Sequence, residues 1–259
     1  MLSGLDRRLA PAPDPARVAW LRQYVFAHRG KHGHGLVENS PGAFAAAIDA
    51  ALGIECDVQE TADGRAVVFH DADLGRLTAE NGAVAERPAA QLNGIVLRGS
   101  TDRIPTLRDL LAQASGRAPL LIEIKSRRGR PVSSLCRAVL HDIEGYRGPH
   151  AIMSFDPAAP NWFARNAPEV VRGLVVTEAK ARTLAGALRR HLALWRARPD
   201  FLACDVRDLP SAFAGAQRAR GLPVVTWTVS TEALLKRAQA VADAPIAEAE
   251  GLAAALAAR

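Results

Sequence analysis

From residue 24 onward the chain alternates short apolar runs with longer amphipathic segments, each bounded by turn residues. "YVFAH" (24–28) reads as a strand. In the segment "ENSPGAFAAAIDAAL" that follows, Ser40 stands at a helix N-cap and Pro41 at the first helical position. Gly53 is read as the end of that helix and "IECDVQ" as the second strand. "AVVFHD" (66–71) is a further strand-like run behind the turn signal "ADG". Residues 73–105 keep no period and are punctuated by Asn81-Gly82, Asn93-Gly94 and Gly99. A helix restarts at "TLRDLLAQA", where Thr106 and Asp109 have capping-box spacing.

Strands are then expected at 119–125, 150–155, 172–176, 200–206, 223–229 and, weakly, 244–250, with helices between them. Ser230 is read as the cap of the helix "TEALLKRAQA". With 66–71 taken as an appendage to the second unit, this makes eight β/α units. The pattern predicts an α/β fold, a TIM (β/α)8 barrel with a small insertion at about 73–105, after the second-strand region. Residues 1–23 would be a lead-in segment and 24–259 a single barrel domain. A doubly wound open sheet is the alternative, and the absence of GxGxxG and GxxxxGK[ST] removes the main reason to prefer it.

Composition changes this picture little. The chain has 259 residues, 49% hydrophobic and 23% charged, as expected of a soluble globular protein. No apolar run reaches the roughly 20 residues that span a bilayer. The first thirty residues show no secretion signal. Cys56, Cys136 and Cys204 are odd in number and widely spaced, which suggests neither a disulfide framework nor a thiolate zinc site. A cytoplasmic protein is expected. The net charge of +6 is spread through helical segments, with "KSRRGR" (Lys125 to Arg130) the tightest cluster and aromatics at only 5%. That excludes a nucleic-acid surface and leaves a solvated basic face, with some attraction for anionic substrates.

The ionisable residues gather at strand ends, where this fold carries its chemistry. His28 and Arg29 follow the first strand, Glu55 and Asp57 end the second, His70 and Asp71 end its appendage, and Glu123 and Lys125 end the next. Residues two apart on a strand share a face, so Glu55 and Asp57 point the same way and Cys56 the other. Like charges so placed repel, and burying them costs several kcal/mol per ion without a partner. Glu55, Asp57 and Glu123 together make a hard oxygen site suited to Mg2+ or Ca2+. The competing reading is an ion-pair network in which Arg29 and Lys125 neutralise the same carboxylates. His28 and His70 are candidates for general base and general acid, and Arg29 and Lys125 for phosphate contacts. Among the other histidines, His32 and His34 alone are held open as substrate-side or extra metal contacts.

"HRG", "EN" before a helix, "ECD", "HD" followed by "LGRLT", then "EIK" and "WTV" resemble, in that order, the glycerophosphodiester phosphodiesterase family. The resemblance implies a TIM barrel with a small insertion. It implies His28 and His70 as the acid/base pair and Glu55, Asp57 and Glu123 as ligands of a divalent cation. Arg29 and Lys125 would contact the phosphate, Asn39 would support the site by hydrogen bonding, and Trp227 would line the glycerol pocket. The implied reaction splits a small anionic glycerophosphodiester to sn-glycerol 3-phosphate and an alcohol, without stable membrane insertion. "ENS" replaces the commoner "ENT", and "VADAPIAEAEG" lacks the usual "ITDxP", so the carry-over stops before the eighth unit. Two alternatives remain: a phospholipase C or D type barrel acting on lysophospholipid or phosphoinositide, and a non-catalytic phosphodiester-binding barrel.

Overall fold

The computed structural model describes residues 2–127, 129–179 and 181–259. Met1 of the lead-in segment and Arg128 of the basic cluster lie outside them. Two compact units divide the chain, one of residues 26–150 and one of residues 1–25 with 151–259.

The first unit carries β1 (Phe26–Ala27), β2 (Gly53–Glu60), β3 (Ala66–Val68) and β4 (Leu120–Ile124). β1 and β4 both pair parallel with β2, and β3 folds back antiparallel on its end, with Val58 opposite Val68. β1 is shorter than the apolar run because the chain turns left-handed straight after it, at Arg29 (φ 52°) and Gly30 (φ 79°). Ser40 caps the helix Pro41–Asp49, its hydroxyl accepting from the Ala43 N–H at 3.2 Å.

Gly53 corrects the sequence reading. The helix ends before it, Ala51 makes the left-handed turn (φ 52°), and Gly53 opens β2 opposite Phe26. A Cβ there would lie 2.4 Å from Phe26 Cδ1, so the glycine makes room for an aromatic ring and does not end a helix.

Residues 73–105 hold a 3-10 turn (Val84–Glu86) and a short helix (Ala89–Asn93). Their apolar side chains, among them Leu74, Val84, Leu92, Leu97 and Ile104, form one cluster with Val67 and Phe69. These residues come from successive turns, which is why no period announces them. The helix Leu107–Ala114 opens with both bonds of the expected capping box between Thr106 and Asp109.

The second unit carries β5 (His150–Ser154), β6 (Val171–Val176), β7 (Phe201–Asp205), β8 (Val224–Val229) and β9 (Ala244–Ala247), each parallel to the next. Thr231, not Ser230, caps the helix Glu232–Val241: β8 runs to Val229, and the Thr231 hydroxyl accepts from the Leu234 N–H at 3.3 Å. The lead-in segment is helical over Leu2–Leu9, Pro15–Val18 and Ala19–Gln23. Buried Asp6 ties it down, accepting from Trp195 Nε1 (2.7 Å) and Gln217 Nε2 (2.8 Å) and facing His191 Nδ1 (2.8 Å). Eight parallel strands with intervening helices make the fold of this chain the expected (β/α)8 barrel class. No helix among the described residues is long and apolar enough to cross a membrane.

Candidate active site

β2 carries Glu55 and Asp57 on one face, and β4 sets Glu123 directly beside Asp57 in register. A ligand oxygen from each of the three lies within 4.8 Å of the others. All three are buried, Glu55 and Asp57 to 1% exposure and Glu123 to 8%. Lys125 Nζ bridges two of them, 2.8 Å from Asp57 Oδ1 and 2.6 Å from Glu123 Oε1. Arg29 Nε lies 3.2 Å from Asp57 Oδ2 as an ion pair, and that oxygen accepts a hydrogen bond from Asn39 Nδ2 at 2.9 Å. The Asp57 N–H donates back to Asn39 Oδ1 at 3.3 Å. Asn39 holds this pose from a left-handed backbone, φ 55°.

Glu55 is treated differently. It accepts the Arg29 backbone N–H at 3.0 Å, and among the described residues no ion pair involves it. Burial pushes its carboxyl well above the usual range, and the charges of Asp57 and Glu123 add to the rise. Burial raises Asp57 too, but Lys125 and Arg29 outweigh it and hold that carboxyl below the usual value. For Glu123 burial wins over Lys125 and the carboxyl rises. The ion-pair reading therefore gives Asp57 and Glu123 a cationic partner in contact and leaves Glu55 with none, only the weaker field of Lys125.

A second line of contacts runs away from the carboxylates. His70 Nδ1 lies 2.6 Å from Asp71 Oδ1. Asp71 Oδ2 accepts from Arg76 Nε, and Arg76 clasps Glu38 through Nη2 (2.7 Å) and Nη1 (3.0 Å). Glu38 Oε1 also accepts from Arg29 Nη1 at 2.7 Å, which closes the line back to Asp57. The Arg76 hydrogen bond is the main reason the Asp71 carboxyl is lowered to about 2. An ionised carboxylate only accepts, so His70 Nδ1 carries the proton and Nε2 is the basic nitrogen. Burial lowers the His70 imidazole, outweighing the pull of Asp57 and Asp71, which favours that neutral form. Glu38, Asp71 and Arg76 stand inside the quoted motifs, yet nothing in their spacing marks them as partners.

The charges around the cluster suit a divalent cation. With all five carboxyls ionised, as a bound cation would require, Glu38, Glu55, Asp57, Asp71 and Glu123 face Arg29, Arg76 and Lys125, leaving two negative charges unmatched among the described residues. One divalent ion matches that deficit, and the all-oxygen donor set suits a hard cation. The residues present fit the group.

The pieces hang on β2. The Asp57 carbonyl accepts the Phe69 N–H at 3.0 Å, and Gln59 Nε2 donates to the carbonyls of Phe69 (3.0 Å) and Asp71, either side of His70. The Val58 carbonyl accepts the Lys125 N–H at 3.1 Å. Gly30 lets the turn after β1 close down: a Cβ there would sit 2.9 Å from Ala43 Cβ, at φ 79°. His28 is half-buried at the start of that turn, its ring edge-on to His32 with centroids 6.5 Å apart. His34 sits in an exposed left-handed turn (φ 51°). Trp227 belongs to β8 of the second unit, donates Nε1–H to the Ala203 carbonyl at 2.9 Å and meets Phe155 edge-on at 5.4 Å.

A family model described as the glycerophosphoryl diester phosphodiesterase family matches residues 28–248. The chain belongs to this family. Its match begins at His28 and takes in every residue of the cluster. Among glycerophosphoryl diester phosphodiesterase relatives, the Bacillus subtilis protein YhdW, itself named only provisionally as such an enzyme, is 27% identical over 231 residues, covering 84% of this chain and 90% of its own. A phosphodiesterase of Oleispira antarctica, solved in complex with the product sn-glycerol-3-phosphate, superposes with a TM-score of 0.77 at 24% identity, covering 89% of this chain and 94% of the other. The glycerophosphodiester phosphodiesterase of Thermotoga maritima gives 0.70 at 24% identity, covering 86% and 93%. These likenesses establish the fold that the family shares.

Proposed function

We propose that this family member hydrolyses small glycerophosphodiesters to sn-glycerol 3-phosphate and an alcohol, with a divalent cation, Mg2+ or Ca2+, held by Glu55, Asp57 and Glu123. The observation that carries the reading is Glu55, a buried carboxyl with no cation in contact among the described residues, within a cluster of three, beside an imidazole already oriented by Asp71. The product seen in the Oleispira antarctica structure supports the substrate class.

When bound, the cation supplies Lewis-acid polarisation of phosphoryl oxygens. The chain's own groups do the rest. Arg29 Nη2 and the third proton of Lys125 Nζ are directed to phosphate oxygens. Of His28 and His70, one takes the proton of the glycerol 2-hydroxyl as that oxygen attacks phosphorus, and the other protonates the departing alcohol oxygen. The product of that step is a cyclic phosphate, which water opens with the histidine roles exchanged. Holding the 2-hydroxyl in line makes the first step intramolecular, which lowers its barrier. Trp227 is assigned to the glycerol end of the substrate.

The test is a panel of glycerophosphocholine, glycerophosphoinositol and lysophosphatidylcholine, assayed with EDTA, Mg2+ or Ca2+. Hydrolysis of the soluble diesters only with added cation is expected, and loss of turnover in His28→Ala and His70→Ala. Near-normal turnover in both variants with cation bound would sink the mechanism; preference for the lysolipid would sink the substrate class.

A further inference from the structure

The second unit holds a surface that this chemistry does not use. The helix Leu184–Ala197, capped by Thr183, contains no acidic residue. It buries Gly186, Leu194 and Ala197 on one side. On the other, Leu184, Leu188 and Leu192 are 93%, 49% and 51% exposed and follow one another at four-residue spacing, one row along the helix. Scattered exposed leucines need no explanation, but three in a single row do.

The row runs into a cavity of about 430 Å3, walled by Trp195, Arg196 and Arg198 on one side and by Asn161, Ala164 and Arg165 of the helix Ala158–Asn166 on the other. Leu192 lies three residues before Trp195 and four before Arg196, so row and cavity form one continuous surface. Trp195 is held as a fixed wall by its bond to Asp6. Among the described residues no ion pair involves Arg165, Arg196 or Arg198, whereas neighbouring Arg172 and Arg17 share Asp200. Three arginines therefore line one cavity, with no ion pair to any of them among the described residues.

An apolar row ending in an anion pocket has the two-part chemistry of a phospholipid. Guanidinium forks suit a phosphate, and leucines suit the acyl boundary beneath it. A second copy docking on this face by two-fold symmetry would set an identical cationic pocket against it. We propose that this face seats the protein on anionic phospholipid surfaces, with a lipid phosphate in the arginine pocket and the leucine row in the interface. The attachment is peripheral and does not depend on the hydrolytic reading.

Co-sedimentation of the full chain with phosphatidylcholine vesicles, with and without phosphatidylglycerol, tests it. Binding only to the anionic vesicles is expected, weakened in roughly 0.5 M salt. Leu188→Ser/Leu192→Ser and Arg165→Gln/Arg198→Gln should each lower the partition coefficient by about ten-fold or more, with unchanged melting temperature and unchanged turnover of glycerophosphocholine. Equal binding to both vesicles, or full binding by the arginine pair, overturns the proposal. So does a dimer in light scattering that the leucine pair disperses while vesicles are not bound. Displacement from vesicles by inorganic phosphate that the leucine pair leaves unaffected assigns the pocket to a soluble anion and overturns it too.

Discussion

Arg76 holds Glu38 in a two-point fork, Nη2 to Oε1 at 2.7 Å and Nη1 to Oε2 at 3.0 Å, while its Nε serves Asp71. One planar group thus sets the carboxylate beside His70 against the residue next to Asn39. Lysine has the charge but not the fork. Arg76→Lys is expected to lower kcat about ten-fold on glycerophosphocholine with KM nearly unchanged, because the pieces that align are lost and the charge is not. Equal kcat in the two proteins would show that the fork has no catalytic consequence.

Asp71 fixes which nitrogen of His70 is basic. Its carboxyl, lowered to about 2 first by the Arg76 hydrogen bond, is charged at any working pH. Asp71→Asn keeps the shape but can present its amide N–H to Nδ1 and so invert the tautomer. A fall in kcat of about 10²-fold is expected, with a melting temperature close to that of the parent. Steady-state kinetics beside thermal denaturation measures both.

Asn39 is bonded to Asp57 in both directions from a left-handed backbone. Asn39→Ala removes the side-chain acceptor and donor and strains the turn. Divalent-cation affinity should fall by about 10–100-fold, read by isothermal titration on protein stripped with EDTA. An unchanged affinity would remove Asn39 from the site.

The pH dependence of the cation-free protein follows from Glu55. Its carboxyl, raised first by burial from 4.5, keeps a proton to higher pH folded than unfolded. The folded state then binds more protons, so this group's contribution to stability falls as pH rises from the unfolded value through the folded one. Glu55→Gln stays neutral throughout. In EDTA the variant should melt higher than the parent at pH 8, by roughly 2–4 °C for each kcal/mol relieved, and the gap should close toward pH 4.5. Added Mg2+ or Ca2+ should stabilise the parent and not the variant. A gap that widens on acidification would reverse the assignment.

Gly30→Ala meets Ala43 and Phe44 at 2.9–3.0 Å from a left-handed backbone. Urea unfolding should show a loss of about 1–3 kcal/mol. Gly64→Ala, also left-handed but with nothing within 4 Å, should cost less.

Much of the scaffold was legible because its signals are local. The helix "VSSLCRAVLHDI" has the boundaries its pattern predicts, Val132–Ile143, and the Thr106–Asp109 box forms as spaced. Gly53 misled because the ring that requires it lies 27 positions earlier, on a neighbouring strand. Ser230 and Thr231 are both good caps, and only the end of β8 decides between them. Within the site, Glu55 and Asp57 announced themselves by period alone, and Glu123 joins them through strand register. Glu38 and Arg76 did not, since their fork spans 38 positions and depends on two turns whose mutual placement no pattern encodes.

Gln59 and its strand set one last property. β2 carries Glu55 and Asp57 in its own backbone, steadies the carbonyls on either side of His70, and receives the Lys125 N–H. All these groups are thereby referred to a single datum. If the strand slides or breathes, they travel with it, and the spacings between carboxylates, lysine and imidazole change less than the strand's own position does. Positional error in this protein is shared by the groups that must agree, so the tolerance of the site is finer than that of the scaffold around it.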